Sequence, residues 1–150
     1  MNRPDSMLWT ILLTCAALGL PGCSAGPNPI VGAWLVRDPN APFPYHMYVF
    51  NVDGTMQQAN PDAGDPKNSD SDGKGIWIAD GGRVKGKWVE VTADRTTHQF
   101  AGRLEISYEI TVNGDSFTGT EVVHSYDAAG RSTSAPATPA QLQGARVKVP

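Results

Sequence analysis

The chain has 150 residues, with 12 basic and 15 acidic side chains and a formal net charge of -3. This length supports one domain with a hydrophobic core and is short for two domains of ordinary size. The charges are mixed, and no run of lysines and arginines occurs, which argues against a nucleic-acid-binding protein.

The first residues predict a secretion signal rather than a part of the fold. An apolar run, MLWTILLTCAALGL, follows the short segment MNRPDS. The run is too short to cross a bilayer as a helix, because a transmembrane helix needs about 20 apolar residues. Its length is typical of the hydrophobic part of a signal peptide. We therefore assign residues 1–22 to a signal peptide that is removed.

The end of this run, Leu20-Pro21-Gly22-Cys23, resembles the lipobox of bacterial lipoproteins. The resemblance implies that Cys23 becomes the first mature residue and carries acyl chains, followed by a short tether over residues 23–29. In Gram-negative sorting, a serine in the next position implies the outer membrane, with the protein facing the periplasm. Cys15 lies in the removed run, so the mature domain has no disulfide. An ordinary cleaved signal peptide is the alternative.

From residue 30 onward, the hydrophobic pattern predicts strands joined by tight turns. Residues 99–112, QFAGRLEISYEITV, alternate between apolar even positions and polar odd positions, which is typical of a half-buried strand. Glycine-containing turns occur at VDGT, ADGG, VNGD and DAAG, and such residues suit the positive φ of hairpins. We expect about eight strands in consecutive hairpins and no helical segment.

Consecutive antiparallel strands leave two exposed edges, and closing the sheet into a barrel removes both. We therefore predict an all-β domain over residues 30–150, formed by an eight-stranded antiparallel up-and-down barrel. The interior of such a barrel is either filled by side chains or holds one small ligand. A two-sheet sandwich is the alternative, but it needs Greek-key crossings, whereas most connections here are tight turns.

Three residues near the ends of the domain resemble a signature of the lipocalin and wider calycin families. Gly32 and Trp34 form a Gly-x-Trp on the first strand, and Arg146 lies on the last strand. The resemblance implies that the arginine packs across the indole and closes the bottom of the barrel. A cation–π contact of this kind contributes roughly 0.5–2 kcal/mol. The resemblance also implies a small hydrophobic ligand, because members of these families bind lipids, pigments or other hydrophobic compounds.

The candidate pocket combines apolar walls with a few polar groups, a mixture typical of small-molecule sites. The even positions over 46–50 share one face of a strand, and those over 122–126 share one face of another. Either both faces line a cavity, or these side chains point outward or fill a packed core. Glu90, Glu105 and Glu109 are expected to pair with cations on the surface. The predicted ligand-binding residues are His46, Tyr48, Phe50, Trp88, Leu104, Ile106, Tyr108, Val122, His124 and Tyr126.

The segment NSDSDGKG, residues 68–75, partly matches the start of an EF-hand calcium loop. The twelfth position of that pattern is Ala79, which cannot bind calcium, and the sequence around it alternates like a strand. We therefore predict a long solvated loop over residues 60–75 at the rim of the barrel, with a weak calcium site as the alternative. No zinc, nucleophilic-serine or phosphate-loop motif occurs. We expect no metal and no cofactor, and the sequence identifies no catalytic residue.

Three functions are compatible with these patterns. The favoured hypothesis is a non-enzymatic, lipid-anchored protein of the cell envelope that captures a small hydrophobic molecule. The second is an isomerase or cyclase on the same barrel, using His46 or His124 as acid or base, by analogy with allene oxide cyclase-type barrels. The third is a packed barrel with a structural or interaction role in the envelope.

Overall fold

The structure, a computed structural model, describes residues 26–62, 64–135 and 138–150. Over these residues it contains strands and turns and no helix. The strands form a closed eight-stranded antiparallel up-and-down barrel with one additional short strand, which confirms the predicted fold class. The strands are β1 (Gly32–Arg37), β2 (Tyr45–Phe50), β3 (Thr55–Ala59), β4 (Asn68–Asp70), β5 (Gly73–Asp80), β6 (Arg83–Asp94), β7 (Phe100–Asn113), β8 (Ser116–Asp127) and β9 (Ala140–Arg146).

The predicted signal peptide, the lipobox and Cys23 lie outside the described residues. Within the described part of the chain, no helix has the length and apolarity needed to cross a membrane. Gly26, within the predicted tether, is the first residue that the structure describes, and Ile30 is the first described residue that is buried.

Backbone hydrogen bonding runs around the whole barrel. β1 pairs with β2 on one side and with β9 on the other, and β6 pairs with β7, so the ring closes. β4 pairs with residues 92–94 of β6, beyond the part of β6 that pairs with β5. The segment predicted as a solvated loop over residues 60–75 therefore contains β4, which pairs with β6, and the first residues of β5, which begins at Gly73. Its composition, rich in Asn, Asp and Ser, did not reveal this pairing.

The connections differ between the two ends of the barrel. Tight turns join β2 to β3, β5 to β6 and β7 to β8 at one end, which we call the closed end. Longer connections join β1 to β2, β3 to β5, β6 to β7 and β8 to β9 at the other, which we call the open end. Because β1 begins at the closed end, the chain enters the barrel there.

Arg146 seals the closed end by lying over Trp34. Its guanidinium carbon is 4.2 Å from the centre of the indole ring, and the two residues are direct partners in the pairing of β1 with β9. The guanidinium also donates hydrogen bonds to the backbone oxygens of Val31, at 2.9 Å, and of Pro29. An ion pair with Asp115, at 3.1 Å, completes its contacts. Arg146 therefore ties the entering chain, the first strand and the β7–β8 turn together.

Gly32 makes room for this arrangement. Its φ is 131°, a conformation that residues with a Cβ rarely adopt. A Cβ at this position would lie 2.9 Å from the Nη1 atom of Arg146. Both the backbone conformation and the approach of the guanidinium therefore favour glycine.

Aromatic and aliphatic side chains fill the interior toward the closed end. Tyr48 lies among them, with its ring centroid 6.2 Å from that of Phe50, 6.2 Å from that of Trp88 and 6.4 Å from that of Tyr108. These residues occupy even positions on β2, β6 and β7, and all four are almost completely buried. The alternation of each strand thus places its large apolar side chains inside the barrel.

Replacing Arg146 with alanine is expected to lower the free energy of unfolding by about 2 kcal/mol, because the cation–π contact and the hydrogen bonds to the backbone are lost together. Urea denaturation followed by tryptophan fluorescence measures the change. Lys148→Ala is the matched control, since Lys148 also pairs with Asp115 but is largely exposed. That variant is expected to lose less than about 0.5 kcal/mol. Equal losses in the two variants would show that the contact with Trp34 does not hold the barrel closed.

Candidate functional site

A pocket of about 340 Å³ lies at the open end, next to the aromatic core. Phe43, Leu104, Ile106 and Val123 supply its apolar walls. Its size is at the lower end of the range of ligand pockets, which is about 300–1,000 Å³. A wider cleft of about 630 Å³ adjoins it, and the two share Asp70 and Leu104 among their walls. The pocket is therefore the inner part of a cleft at the mouth of the barrel.

Four carboxyl groups reach this pocket from different parts of the chain. Asp38 follows β1, Asp70 ends β4, Glu90 lies on β6 and Glu121 lies on β8. Asp38, Glu90 and Glu121 are only 4%, 4% and 5% exposed. No lysine or arginine of the described chain lines the pocket. A buried carboxylate without a nearby cation is unfavourable.

Glu121 carries a proton at neutral pH. Burial raises the pKa of Glu121 to about 8, and the hydrogen bond and negative charge of Asp38 contribute to the increase. We infer that the protonated carboxyl donates to Asp38, because two carboxyl groups in hydrogen-bond contact share a proton. The hydroxyl of Tyr48 donates to Oε2 of Glu121 at 3.2 Å. A hydrogen-bonded chain therefore runs from Tyr48 through Glu121 to Asp38.

Glu90 changes its charge near neutral pH. Burial raises the pKa of Glu90 to about 7, and the negative charges of Asp70 and Asp72 contribute to the increase. The charge of Glu90 in turn contributes to the raised pKa of Glu121. The pocket thus holds one carboxyl group that is protonated and one that is about half ionised under neutral conditions.

Gln58 determines which nitrogen of His46 carries the proton. The backbone N–H of Gly73 donates to Oε1 of Gln58 at 2.9 Å. The amide nitrogen of Gln58 therefore lies 3.0 Å from Nδ1 of His46 and donates to it. Burial lowers the pKa of His46, with a partial opposing effect of Asp38, so the ring is neutral and its proton is on Nε2. This Nε2–H group is buried and makes no hydrogen bond of good geometry with the described residues, although the backbone carbonyl of Phe43 is close enough to oppose the lowering of the pKa of His46.

Trp88 provides a second buried donor without a partner. The residue is 4% exposed, and its Nε1–H group meets no acceptor in the described parts of the chain. The benzene edge of the indole covers Gly73, where a Cβ would lie 2.4 Å from Cε3, so the N–H edge points away from Gly73. It lies close enough to the Tyr48 hydroxyl to oppose the rise in the pKa of Tyr48, but outside hydrogen-bonding geometry. Buried donors without partners are rare, so this one indicates a place for a ligand or a water molecule.

The structure brings some of the predicted ligand-binding residues together at the pocket. Tyr48 reaches it through its hydrogen bond to Glu121. Phe50 and Tyr108 lie deeper, at 1% and 4% exposure, within the packed core. The predicted residues that line the pocket are His46, Trp88, Leu104 and Ile106.

The inward-facing positions predicted for β8 need correction. Phe117 and Glu121 are buried inside the barrel, so the odd-numbered positions of this strand face inward. Val122, His124 and Tyr126 therefore lie on the outer face, where His124 is exposed and Tyr126 borders only the wider cleft. The reason is that valine occupies both positions 122 and 123, so the alternation did not distinguish the two faces.

The sequence interpretation missed the pocket carboxyl groups. Glu105 and Glu109 form ion pairs on the outside, as predicted, at 2.9 and 3.2 Å from a lysine and an arginine. Glu90 was assigned to the same surface, but it lies inside with Trp88, on the even-numbered face of β6. The alternation in RVKGKWVEV, residues 83–91, indicates this direction, because it places Glu90 on the same face as Trp88. Asp38 lies in a connection, where no periodic pattern indicates its direction.

No group of three or more His, Cys, Asp and Glu residues is arranged to hold a metal ion within the described part of the chain. Asn68 and Asp70, the first ligands of the alternative calcium site, lie in β4, where the backbone is extended. The contribution of this segment to the site is Asp70, which borders both the pocket and the wider cleft.

Comparisons with protein-family models, with curated proteins and with solved structures found no match for this chain. The closed eight-stranded barrel is compatible with a lipocalin-like fold and with a ligand-binding role. A more specific function has to be inferred from the pocket and its side chains.

The raised pKa values of Glu90 and Glu121 predict that the protein loses stability as the pH rises from 6.5 to 8. In this range the folded protein retains protons that the unfolded chain, with a carboxyl pKa of 4.5, has released. The free energy of unfolding therefore falls with pH, by up to about 1.4 kcal/mol per pH unit for each group. Urea denaturation at several pH values measures the slope.

Glu121→Gln and Glu90→Gln are each expected to flatten this slope. Glu109→Gln, on the outer surface, is the control and should leave it unchanged. The range begins at pH 6.5 because of His46. Its pKa is lowered in the folded protein, so below its unfolded pKa of 6.5 this histidine makes the free energy of unfolding increase with pH. An unaltered slope in both pocket variants would contradict the assignment of the protons to these carboxyl groups.

Proposed function

We propose that this protein is a lipid-anchored, lipocalin-like binding protein of the cell envelope that holds one small molecule at the open end of its barrel. The observation that carries the proposal is the pocket of about 340 Å³, with apolar walls and two buried N–H donors that lack partners among the described residues. Apolar walls with a few oriented polar groups are typical of small-molecule sites. The packed closed end provides the rigid frame that such a site needs.

The unpartnered donors favour a binding site over a purely structural barrel. A buried donor without an acceptor destabilises a protein by about 1–3 kcal/mol. The Nε2–H of His46 and the Nε1–H of Trp88 are both buried without a hydrogen bond of good geometry to the described residues. A ligand that offers acceptors to both groups removes the cost when it binds, whereas a structural barrel would gain stability from apolar side chains at the same positions.

An isomerase or cyclase is the second candidate, favoured by the protonated Glu121 inside the pocket. Nδ1 of His46 accepts a hydrogen bond from Gln58, so this histidine can donate a proton from Nε2 but has no free site to accept one. His124, the other histidine considered, is exposed on the outer face. A barrel enzyme would therefore rely on the carboxyl groups of Glu90 and Glu121 as base and acid. A binding protein releases its ligand chemically unchanged, which mass spectrometry of the released compound distinguishes.

The proposed anchor and the pocket belong to opposite ends of the barrel. The chain enters at the closed end, where the backbone oxygens of Pro29 and Val31 accept hydrogen bonds from Arg146. With Cys23 acylated and held in the outer membrane, the closed end lies toward the lipid and the pocket opens toward the periplasm. The ligand then enters from the aqueous phase.

Cys23→Ala is expected to move the protein from the membrane fraction to the soluble fraction and to abolish palmitate incorporation, because several acyl chains together give stable membrane attachment. Cell fractionation and metabolic labelling with palmitate measure the two effects. Cys15→Ala is the matched control and should leave both unchanged. Membrane attachment with full labelling in the Cys23→Ala protein would contradict the lipid anchor.

Native mass spectrometry of the full-length protein, extracted from its own membrane with a mild detergent, is expected to show a bound small molecule. Val123→Trp should reduce the bound fraction by about tenfold or more, because Val123 lines the pocket and the larger side chain occupies ligand space. Val122→Trp is the matched control, since the neighbouring residue lies on the outer face. Absence of any bound molecule, or equal occupancy in both variants, would contradict the binding function.

A further inference from the structure

We propose, on the basis of the binding function above, that the ligand is a small protonated amine with a compact apolar body that also carries a hydrogen-bond acceptor. The proposal joins two features of one cavity. Carboxyl groups converge on it without a cationic partner, and two of its lining residues, His46 and Trp88, carry buried N–H groups that make no hydrogen bond of good geometry with the described residues. A molecule with a cationic end and an acceptor satisfies both features at once.

The carboxyl groups provide the cation-binding side. Asp38, Glu90 and Glu121 are almost fully buried, and Asp70 stands at the boundary with the wider cleft. The carboxylates on the outside of the same barrel pair with lysines and arginines, whereas no such residue of the described chain reaches the pocket. An ammonium group has three donors and no acceptor. Its hydrogen bonds to carboxylates are about twice as strong as those between neutral groups.

The N–H groups provide the acceptor-binding side. His46 Nε2 and Trp88 Nε1 each carry a hydrogen that makes no hydrogen bond of good geometry with the described residues. The hydrogen bond from Gln58 to Nδ1 of His46 prevents this ring from moving its proton without loss of a contact. The indole nitrogen is permanently a donor. A phenol, hydroxyl or carbonyl oxygen of the ligand can accept from either group.

An anionic ligand fits this cavity poorly. It would satisfy the two N–H groups, but its charge would lie beside the negative charge of Asp38 and that of Glu90 when ionised, where like charges repel. A neutral ligand avoids this repulsion and leaves the protonation state of the carboxyl groups unchanged. Only a cation makes ionisation of the buried carboxyl groups favourable. The apolar walls of Phe43, Ile106 and their neighbours then accommodate the uncharged body of the amine.

Binding of an amine is coupled to the loss of protons from the pocket. Glu121 is faced by Tyr48, Asp38, Glu90 and His46, and Glu90 is faced in addition by the negative charges of residues 70 and 72. None of these groups supplies a permanent positive charge. An ammonium ion would lower the pKa of both glutamates, so binding releases protons, and the affinity increases as the pH rises from about 7 to about 8.

Three compounds with the same phenol ring test the proposal. Tyramine carries an ammonium group, tyrosol a hydroxyl group and 4-hydroxyphenylacetate a carboxylate on otherwise similar side chains. Isothermal titration calorimetry with the full-length protein in detergent is expected to show tyramine binding about tenfold or more tightly than tyrosol, with 4-hydroxyphenylacetate the weakest. Release of protons on tyramine binding is measured by repeating the titration in buffers with different enthalpies of ionisation.

Variants of the pocket glutamates test whether these residues cause the preference for tyramine. Glu121→Gln and Glu90→Gln are expected to reduce the preference for tyramine over tyrosol toward unity while tyrosol affinity is retained. Glu109→Gln removes a carboxylate from the outer surface and should preserve the preference. Should one pocket variant fail to fold, the other variant and the pH dependence of the unaltered protein remain as measurements.

Equal or tighter binding of tyrosol or 4-hydroxyphenylacetate would overturn the amine proposal and leave the binding function in place. Failure of all three compounds to bind would also overturn it. In that case a neutral or anionic molecule found with the native protein would preserve the binding function. Absence of any native ligand would remove the binding function as well.

Discussion

The Arg146 guanidinium over the Trp34 indole is the contact on which closure of the barrel depends. It lies where the first and last strands pair, which is the seam of the sheet. The indole N–H donates to the backbone oxygen of Ile30 at 2.8 Å, and the ring of Phe117 packs 5.1 Å from the indole centroid. The polar atoms at this end are thus satisfied within the protein, so the seam can be buried without leaving unpaired groups.

A barrel held at one end leaves the other end free to carry polar groups that do not contribute to packing. The aromatic core around Tyr48 fills the half of the interior nearer the closed end. Toward the open end, the inward positions of the same strands hold His46, Glu90 and Glu121 instead. Long connections surround this end, whereas tight turns close the other. The division of the interior into a packed half and a polar half is what makes a binding site compatible with a stable small barrel.

Burial and protonation are coupled in the polar half. Removal from water favours the neutral form of the pocket carboxyl groups, and the resulting hydrogen-bonded chain links Tyr48, Glu121 and Asp38. The donors on His46 and Trp88 are oriented by neighbours that are themselves fixed, namely Gln58 and the strand around Gly73. The pocket is therefore pre-organised, so the ligand proposed above would not have to order it at the expense of conformational entropy.

The sequence by itself determined the fold class, because alternation with period two and glycine-rich turns leave few arrangements other than consecutive hairpins closing on themselves. It also drew attention to Gly32, Trp34 and Arg146, which the structure places at the closed end. On β7 the apolar alternation was clear enough to separate the inner from the outer face, whereas on β2 it left the inner face open. These features are local or lie at chain ends that a closed barrel must bring together.

Only the tertiary structure decided the composition of the pocket. Two adjacent valines hid the inner face of β8, so His124 was predicted to line the cavity, whereas the structure buries Glu121 there. Asp38 and Asp70 lie at or beyond strand ends, where periodicity carries no information about direction. The raised pKa values of the glutamates arise from burial and from charges on distant segments of the chain. Such a property belongs to the assembled barrel, because no single strand contains both the carboxyl group and the groups that perturb it.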